Sequence, residues 1–519
     1  MNPLAATAAF PGIAGAELAA LHGAQRPPLA QSTLLSRDDP FGLTVIIGGT
    51  NVRFCISHPG SSEPLTHVVK WIELEKTLGS ELAREGLRFE NAHSLVYPLI
   101  VKDFVKFLES KFDPELGPLP IENLCAFNVS IAGLVIGDEK RDPDFHRPVN
   151  GIDAEVTTSN TGLRFSQEKI GRVLYNAFKE RVPQMRFSPE KVSVFNDARA
   201  GLEGERILLG IPNDKRVFFE IGGTGDGSQY DIPGFDEIGH RIIFNTSKKR
   251  IDFIGGDKLK EYINQDGSFK VLGHDETYAE HLVAGPWTGI RFVQQFKSKN
   301  NLMAALASWI LKKRAEVNAT TPKDSAAKDA SLTSEELAEQ TEVLREQLDD
   351  IASLKAGGRH RWAMDSNTYI IREINGLIFQ PDYRKFRRYL PCDLQIGALE
   401  DKSPDRAMVV LAWSHLKKHL KERGLIAGKV YREMQKQGVA PDYYILGGGL
   451  GETFNRYTPE DREDAILEIT EAGKLPHGLF NFSQVSPEAR ESAVSHRTVM
   501  KTKEELSQMR GLGVPQLAV

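Results

Sequence analysis

The chain has few cysteines, no long apolar run and no excess of basic residues over its 519 positions. The three cysteines, Cys55, Cys125 and Cys392, are far apart and form no CxxC pair, which excludes a disulfide framework and a zinc ion held by cysteines. No uncharged apolar run approaches the roughly 18 residues of a membrane span. The formal net charge of -5 indicates neither a nucleic-acid partner nor an anionic membrane surface.

The composition is ordinary for a soluble globular protein, with 40% hydrophobic and 26% charged residues. Residues 1–38 lack sustained hydrophobic periodicity, and we expect a mobile N-terminal tail there. Because no basic cluster precedes an apolar core in residues 1–24, we expect no secretory signal. The scarcity of cysteine fits a reducing compartment, so the sequence predicts a cytoplasmic protein.

Short apolar segments rich in β-branched residues predict buried strands, and amphipathic segments between them predict helices. After the first strand, Val52, Phe54 and Ile56 alternate with polar residues, as in the return strand of a hairpin. The alternation of strands and helices indicates the α/β class. The predicted strands lie at residues 43–47, 124–131, 192–195, 216–221 and 443–446.

The composition changes between residues 297 and 358. Residues 320–334 are polar and rich in Lys, Asp, Ala and Ser, which indicates a loop. Thr333 and Glu336 have the spacing of a capping box, and apolar residues follow as far as residue 351. We therefore predict a helical insertion at about 297–358 that lies on the surface.

The tetrad Ile-Gly-Gly-Thr occurs twice, at residues 47–50 and 221–224, and each copy follows an apolar strand. Glycines allow a turn to bring backbone N–H groups against phosphate oxygens, and threonine adds a hydroxyl donor. Two unrelated hairpin turns are the alternative explanation for the repeat. A third glycine run at 447–449 also follows a strand, which favours a duplicated lobe that clasps a nucleotide.

Six motifs in a fixed order make the chain resemble the bacterial glucokinases and the wider ROK sugar kinase family. The resemblance extends from about residue 43 to residue 450 and is poor after Gly285 until the last glycine run. The motifs are Gly48-Gly49-Thr50-Asn51 with Arg53, Asn196-Asp197 with Ala200, Gly223-Thr224-Gly225 with Gly227, Glu237-Ile238-Gly239-His240, Ala279-Glu280 with Gly285-Pro286, and Leu446-Gly447-Gly448-Gly449.

This resemblance implies a two-lobed actin-like ATPase (ribonuclease H-like) fold with a central cleft. We expect a small lobe at 39–208, to which a C-terminal helix near 495–515 could return, and a large lobe at 209–494. The family also suggests a homodimer, for which the sequence shows no interface.

The resemblance further implies ATP-dependent phosphorylation of a hexose, with glucose and glucose 6-phosphate as the first choice. Asp197 would be the general base that accepts the proton of the attacking sugar hydroxyl. The sugar-binding residues would be Asn150, Asn196, Asp197, Glu237, His240 and Glu280. The nucleotide-binding residues would be Gly48, Gly49, Thr50, Asn51, Gly223, Thr224, Gly225, Gly447, Gly448 and Gly449. As alternatives, Asn196-Asp197 could only cap a helix, His240 could be a buried structural histidine, and Asn150 could belong to an ordinary turn.

The chain departs from the family at Ile46, where the first phosphate motif has an aspartate that helps to hold Mg²⁺. Glu220 precedes Gly222 by the same spacing as Ile46 precedes Gly48, and we expect it as a candidate metal carboxylate acting through water. Magnesium would otherwise arrive with ATP. No cysteine–histidine cluster follows His240, so we expect no structural zinc.

Ile46 leaves a second function open, a catalytically weak or inactive relative that binds sugar or nucleotide as a sensor or scaffold. A ROK-type repressor would need an N-terminal helix-turn-helix, and residues 1–38 are too short for one. A kinase for another hexose or an amino sugar also remains open.

Overall fold

The computed structural model describes residues 34–136, 149–150, 152–158, 161–223, 226–232, 234–235, 238–245, 247–262, 264, 269–273, 275–297, 299–320, 334–354, 367–379 and 404–511. The strands are β1 (Phe41–Ile47), β2 (Asn51–His58), β3 (Ser61–Lys70), β4 (Leu124–Ile131), β5 (Leu134–Ile136), β6 (Val149–Asn150), β7 (Glu155–Thr158), β8 (Phe165–Glu168), β9 (Val192–Asn196), β10 (Val217–Gly222), β11 (Asp226–Tyr230), β12 (Ile242–Asn245), β13 (Arg250–Phe253), β14 (Glu276–Tyr278), β15 (Tyr443–Gly447) and β16 (Phe480–Phe482). The helices are α1 (Trp71–Glu85), α2 (His93–Glu109), α3 (Ile170–Arg181), α4 (Asp197–Leu208), α5 (Ile238–Arg241), α6 (Glu280–Val283), α7 (Gly285–Gln294), α8 (Asn300–Thr320), α9 (Ser334–Ser353), α10 (Asn367–Ile378), α11 (Pro404–Lys436), α12 (Gly448–Asn455), α13 (Pro459–Gly473) and α14 (Pro487–Gly511).

The first sheet has the strand order β3-β2-β1-β4-β9-β6. Strands β1, β2 and β3 form an antiparallel meander, and β4 and β9 run parallel to β1. Every residue of β1 is buried, as expected for an apolar central strand that is covered on both faces. The first hairpin and the strands predicted at 124–131 and 192–195 are confirmed.

The second sheet has the strand order β11-β10-β15-β16. Strands β10 and β11 form a hairpin, and β15 and β16 run parallel to β10. This order repeats β2-β1-β4-β9 of the first sheet, with a hairpin followed by two parallel strands. The duplication is that of the two-lobed actin-like ATPase fold, so the predicted fold class is confirmed.

Each sheet has its own hydrophobic core. One core extends from Leu35 to Val194 and includes α1, α2 and α3, and the other extends from Phe218 to Phe482. The C-terminal helix α14 follows the second sheet in sequence but packs on the first sheet. It contacts strands β1, β2, β3 and β4. It fits closely: a methyl group at Gly42 of β1 would lie 2.1 Å from Ser495 Oγ of α14.

The described helices of the segment predicted as a surface insertion, α8 and α9, pack into the core of the second half. Leu306 of α8, Leu348 of α9 and Ile374 of α10 are fully buried in the same cluster as Phe292 of α7. The polar composition of residues 320–334 had suggested the surface, but the flanking helices each have a complete apolar face that packs inward. Among the described helices, none combines the length and apolar character needed to cross a membrane.

The end of the segment predicted as a mobile tail is packed against the first half of the chain. Leu35 is buried and its N–H donates to the Lys111 carbonyl oxygen at 2.7 Å. Asn123 Nδ2 donates to the Arg37 carbonyl oxygen at 2.6 Å. These contacts hold residues 34–38 in place, and the rest of the predicted tail lies outside the described residues.

Candidate active site

The first glycine turn, Gly48 to Thr50, joins β1 to β2 and is held by a tryptophan. The Gly48 N–H donates to the Asn51 carbonyl oxygen at 3.0 Å, which closes the turn. Trp71 at the start of α1 donates from Nε1 to the Gly48 carbonyl oxygen at 3.0 Å and from its backbone N–H to the Thr50 carbonyl oxygen at 3.3 Å. Trp71 therefore fixes the direction of two carbonyl groups in the turn, a role that no sequence motif indicated.

Asp197 lies at the same edge of the first sheet as this turn. Ile47, Ile131 and Asn196 are register partners at the carboxyl ends of the parallel strands β1, β4 and β9. With strands about 4.8 Å apart, the turn and the start of α4 are separated by roughly 10 Å along this edge. Ligands of open α/β sheets bind at this kind of edge.

Asn196 uses its side chain to cap α4. Its Oδ1 accepts from the N–H groups of Ala198 at 2.9 Å and Arg199 at 3.3 Å, and its Nδ2 donates to the Gly133 carbonyl oxygen at 2.8 Å. Asp197 is the first residue of the helix and also accepts from the Ala198 N–H, at 2.9 Å. The cap therefore fixes the backbone at the start of α4, where Asp197 lies. The side-chain oxygen and nitrogen of Asn196 both form hydrogen bonds within the protein.

The second glycine turn joins β10 to β11 and contacts two other segments of the predicted site. The Gly223 carbonyl oxygen accepts from the Gly285 N–H at 2.8 Å, at the start of α7. Gly448, at the start of α12, has a φ of 75°, and a methyl group there would lie 2.7 Å from the Gly222 carbonyl oxygen. Glycine is needed at 448 for both reasons. Thr224 and Gly225 lie outside the described residues.

His240 and Glu280 form a polar pair behind β11. His240 Nε2 lies 2.6 Å from Glu280 Oε2, and each side chain is 14% exposed. Burial alone would raise the pKa of Glu280, but the charge and hydrogen bond of His240 outweigh it, so the pKa is lowered. The His240 ring stacks on Phe269 with centroids 3.6 Å apart, a contact that the sequence motifs did not indicate.

Strand β11 lies between this polar pair and the helix that begins with Asp197. A methyl group at Gly227 would lie 3.9 Å from Ala198 Cβ of α4, and one at Gly239 would lie 2.5 Å from the Asp226 carbonyl oxygen and 3.2 Å from Glu280 Cβ. The structure thus brings α4, β11, α5 and α6 into direct contact.

The predicted sugar-binding residue Asn150 lies away from the carboxyl ends of the parallel strands. Asn150 lies in β6, opposite Ser193 of β9 and three residues before the carboxyl end of that strand, a distance of roughly 10 Å. Glu237 lies outside the described residues.

Glu220 is directed into the core, away from the position expected of a metal carboxylate at a phosphate turn. It is buried, forms an ion pair with Arg423 and accepts from the Tyr444 hydroxyl. The strand alternation places Glu220 on the same face of β10 as Gly222, toward α11. The geometry gives no support to the metal role predicted for this residue.

The first turn offers no carboxylate either. Ile46 is 4% exposed and lies between its register partners Arg53 and Ser130. Arg53 Nε lies 3.3 Å from Glu488 Oε1 of α14, so the positive charge opposite Ile46 is already paired in a salt bridge. Across the described residues, no group of three or more His, Cys, Asp or Glu could hold a metal ion. At the two turn positions compared, Ile46 supplies no metal ligand and the Glu220 carboxylate is already paired with Arg423.

No family model and no curated protein matches the sequence. Solved structures do match, at low identity. A ROK family glucokinase from Streptomyces griseus in complex with glucose and AMPPNP is 13% identical, with 88% of this chain and 99% of that chain covered and a TM-score of 0.41. A glucokinase from Balamuthia mandrillaris in complex with glucose is 13% identical, with 89% and 95% covered and a TM-score of 0.41. A ROK family transcriptional regulator, a homologue of the E. coli Mlc protein, is 11% identical, with 90% and 82% covered and a TM-score of 0.39.

Proposed function

We propose that the chain is an ATP-dependent hexose kinase in which Asp197 is the general base and glucose the first candidate substrate. The observation that carries this proposal is the placement of β11, which packs against the helix that begins with Asp197 and, at Asp226, against Gly239 and Glu280. The proposed base, a glycine turn and a partly buried carboxylate–imidazole pair are thereby joined through one strand. Such a kinase would be a cytoplasmic enzyme of carbohydrate metabolism, and a homodimer would be compatible with it.

The proposed roles follow from the chemistry of each group. Phosphoryl transfer needs positioning and charge stabilisation more than covalent chemistry. The glycine turns at Gly48 and Gly222 would offer backbone N–H groups to the phosphates of ATP. Asp197, held at the start of α4, would accept the proton of the sugar hydroxyl as its oxygen attacks the γ-phosphorus.

The polar pair is suited to bind hydroxyl groups. The lowered pKa keeps Glu280 ionised at neutral pH, so its carboxylate accepts hydrogen bonds only. His240 holds that carboxylate in place through the 2.6 Å contact. We assign Glu280 and His240 to adjacent hydroxyls of the sugar. Asn196 would contribute by capping α4 and so holding Asp197 in position. Magnesium would enter with ATP, bound to phosphate oxygens and water, and would offset phosphate charge.

A second candidate function is supported by Ile46 and Glu220. Of the two matching positions before the glycine turns, Ile46 is apolar and the Glu220 carboxylate pairs with Arg423. Loss of electrostatic stabilisation of this kind lowers a rate by about a hundredfold or more. A chain that binds sugar or nucleotide and turns over slowly or not at all would be a sensor or scaffold on a kinase fold.

The test is ADP release from the purified chain with MgATP over a panel of hexoses and amino sugars. We expect sugar-dependent ADP release that Asp197→Asn lowers by about a hundredfold or more. The matched control is Glu203→Gln on the same helix, which removes a partly buried ion pair with Arg199 and should leave turnover unchanged. Binding of sugar or AMPPNP without turnover would favour the sensor or scaffold, and the absence of both would overturn the proposal.

A further inference from the structure

A buried arginine lies beneath the second glycine turn. Helix α11 presents His415, His419 and Arg423 at intervals of four residues, so all three lie on one face and point into the core. Arg423 is 3% exposed. A methyl group at Gly222 would lie 2.9 Å from Arg423 Nη2, so the turn lies directly against the guanidinium group.

The guanidinium group of Arg423 connects three segments. Its Nη1 pairs with the Glu220 carboxylate on β10 and lies 3.3 Å from Asp226 Oδ1 on β11. Its Nη2 donates to the Val283 carbonyl oxygen at 3.0 Å, at the end of the helix that begins with Glu280. One side chain thus holds both strands of the turn and the helix that carries the candidate sugar carboxylate.

The charges make this arginine necessary for the arrangement. Burial and the nearby Glu220 raise the pKa of Asp226 well above its usual value, because two carboxyl groups share one dry region. His419 supplies no positive charge here, since burial and the neighbouring Arg423 hold its pKa well below its usual value. The planar fork of an arginine can also bind several acceptors at once, which a lysine ammonium group cannot do in the same geometry.

We propose that Arg423 is a positioning residue that fixes Gly222 and Asp226, on either side of the second glycine turn, relative to the helix that begins with Glu280. It would thereby couple the binding of nucleotide phosphates to the binding of sugar. This inference rests on the proposed function for the identity of the two ligands.

Arg291 provides a matched control in the same part of the fold. It forms a two-pronged ion pair with Glu422, the residue before Arg423, at 2.7 and 2.8 Å, and its Nη1 donates to the Leu282 carbonyl oxygen at 2.7 Å. Arg291 and Arg423 therefore both join α11 to the end of α6. Of the two, Arg423 alone contacts the strands of the glycine turn.

The test compares Arg423→Lys and the double variant Arg423→Gln/Glu220→Gln with Arg291→Lys and Arg291→Gln/Glu422→Gln. Both double variants remove one charge of each sign, so no new unpaired buried charge prevents folding. Circular dichroism spectra and melting temperatures are measured first, to find conditions in which every variant is folded. Calorimetry then measures the dissociation constant of AMPPNP with and without saturating glucose.

We expect both Arg423 variants to raise the AMPPNP dissociation constant about tenfold or more and to abolish its dependence on glucose, while the Arg291 variants keep both near the wild-type values. Equal effects of the Arg423 and Arg291 variants would show a structural role only and would overturn this inference, with the proposed function unaffected. A wild-type chain that binds neither AMPPNP nor glucose would overturn the proposed function and this inference with it.

Discussion

Ile46 occupies the position where the motif it resembles has an acid, and its surroundings show how the chain accommodates an apolar residue there. It is buried between Arg53 and Ser130. Both neighbours are engaged by α14, since Arg53 pairs with Glu488 and Ser130 Oγ donates to Glu491 Oε2 at 2.5 Å. Two carboxylates near this position, Glu488 and Glu491, therefore come from the C-terminal helix and are bound to residues of the first sheet.

We expect Ile46→Asp to raise kcat for the sugar that is turned over by about tenfold to a hundredfold. The new carboxylate would lie opposite Arg53, which already pairs with Glu488, and beside the first glycine turn, where it could bind water of the magnesium shell. The measurement is kcat at saturating MgATP, and Ile46→Asn serves as the uncharged control of nearly equal shape. An equal change in both variants would show that charge at this position has no catalytic effect.

Helices α4 and α14 pack so closely that one glycine controls their contact. A methyl group at Gly204 of α4 would lie 2.0 Å from the Arg490 carbonyl oxygen and 2.6 Å from its carbonyl carbon. Arg490 also lies over the ring of Phe219 at 5.2 Å and pairs with Glu205 at 3.5 Å. This contact joins the helix of the candidate base to the helix that covers the first sheet.

We expect Gly204→Ala to lower the free energy of unfolding by about 3 kcal/mol, because two backbones must separate. Gly79→Ala in α1 is the control, since nothing lies within 4 Å of a methyl group there. That change should raise stability by about 0.5–1 kcal/mol through the lower backbone entropy of alanine. Chemical denaturation of both variants measures the difference, and a loss of the same size at Gly79 would contradict the packing argument.

At the scale of the whole molecule, α14 joins the two halves through buried acids. Glu205 of α4 and Glu491 of α14 are both buried, and burial raises the pKa of each above 4.5. A raised pKa in the folded state means that the stability contributed by each acid is full below the unfolded value and is lost as pH rises through the folded value.

We therefore expect the melting temperature of the wild-type chain to fall, compared with that of Glu491→Gln, as the pH rises from about 5 to about 8. Glutamine keeps a neutral side chain beside Ser130 at every pH, so this part of the pH dependence is removed. The measurement is thermal unfolding over that range, with the exposed Glu505→Gln on the same helix as the control. A constant difference between wild type and Glu491→Gln would contradict the assignment.

The sequence alone determined the local features of the fold. Apolar strands, the two Ile-Gly-Gly-Thr tetrads and the last glycine run predicted two hairpins and the strands beside them, because hairpins and turns depend on residues close together in the chain. The assignment of Asp197, His240 and Glu280 to a site came from the resemblance of their motifs to those of the sugar kinases, and it stays a prediction.

Only the tertiary structure decided which distant residues support these turns. Glu220 and Arg423 are 203 positions apart, and this pairing directs Glu220 to the core although its spacing before Gly222 had suggested a metal ligand. Trp71 and Phe269 belong to no sequence motif. They are identified only by their contacts in the structure, Trp71 with Gly48 and Phe269 with His240. The physical reason is that packing and charge pairing depend on distance in space, which a local pattern of residues does not encode.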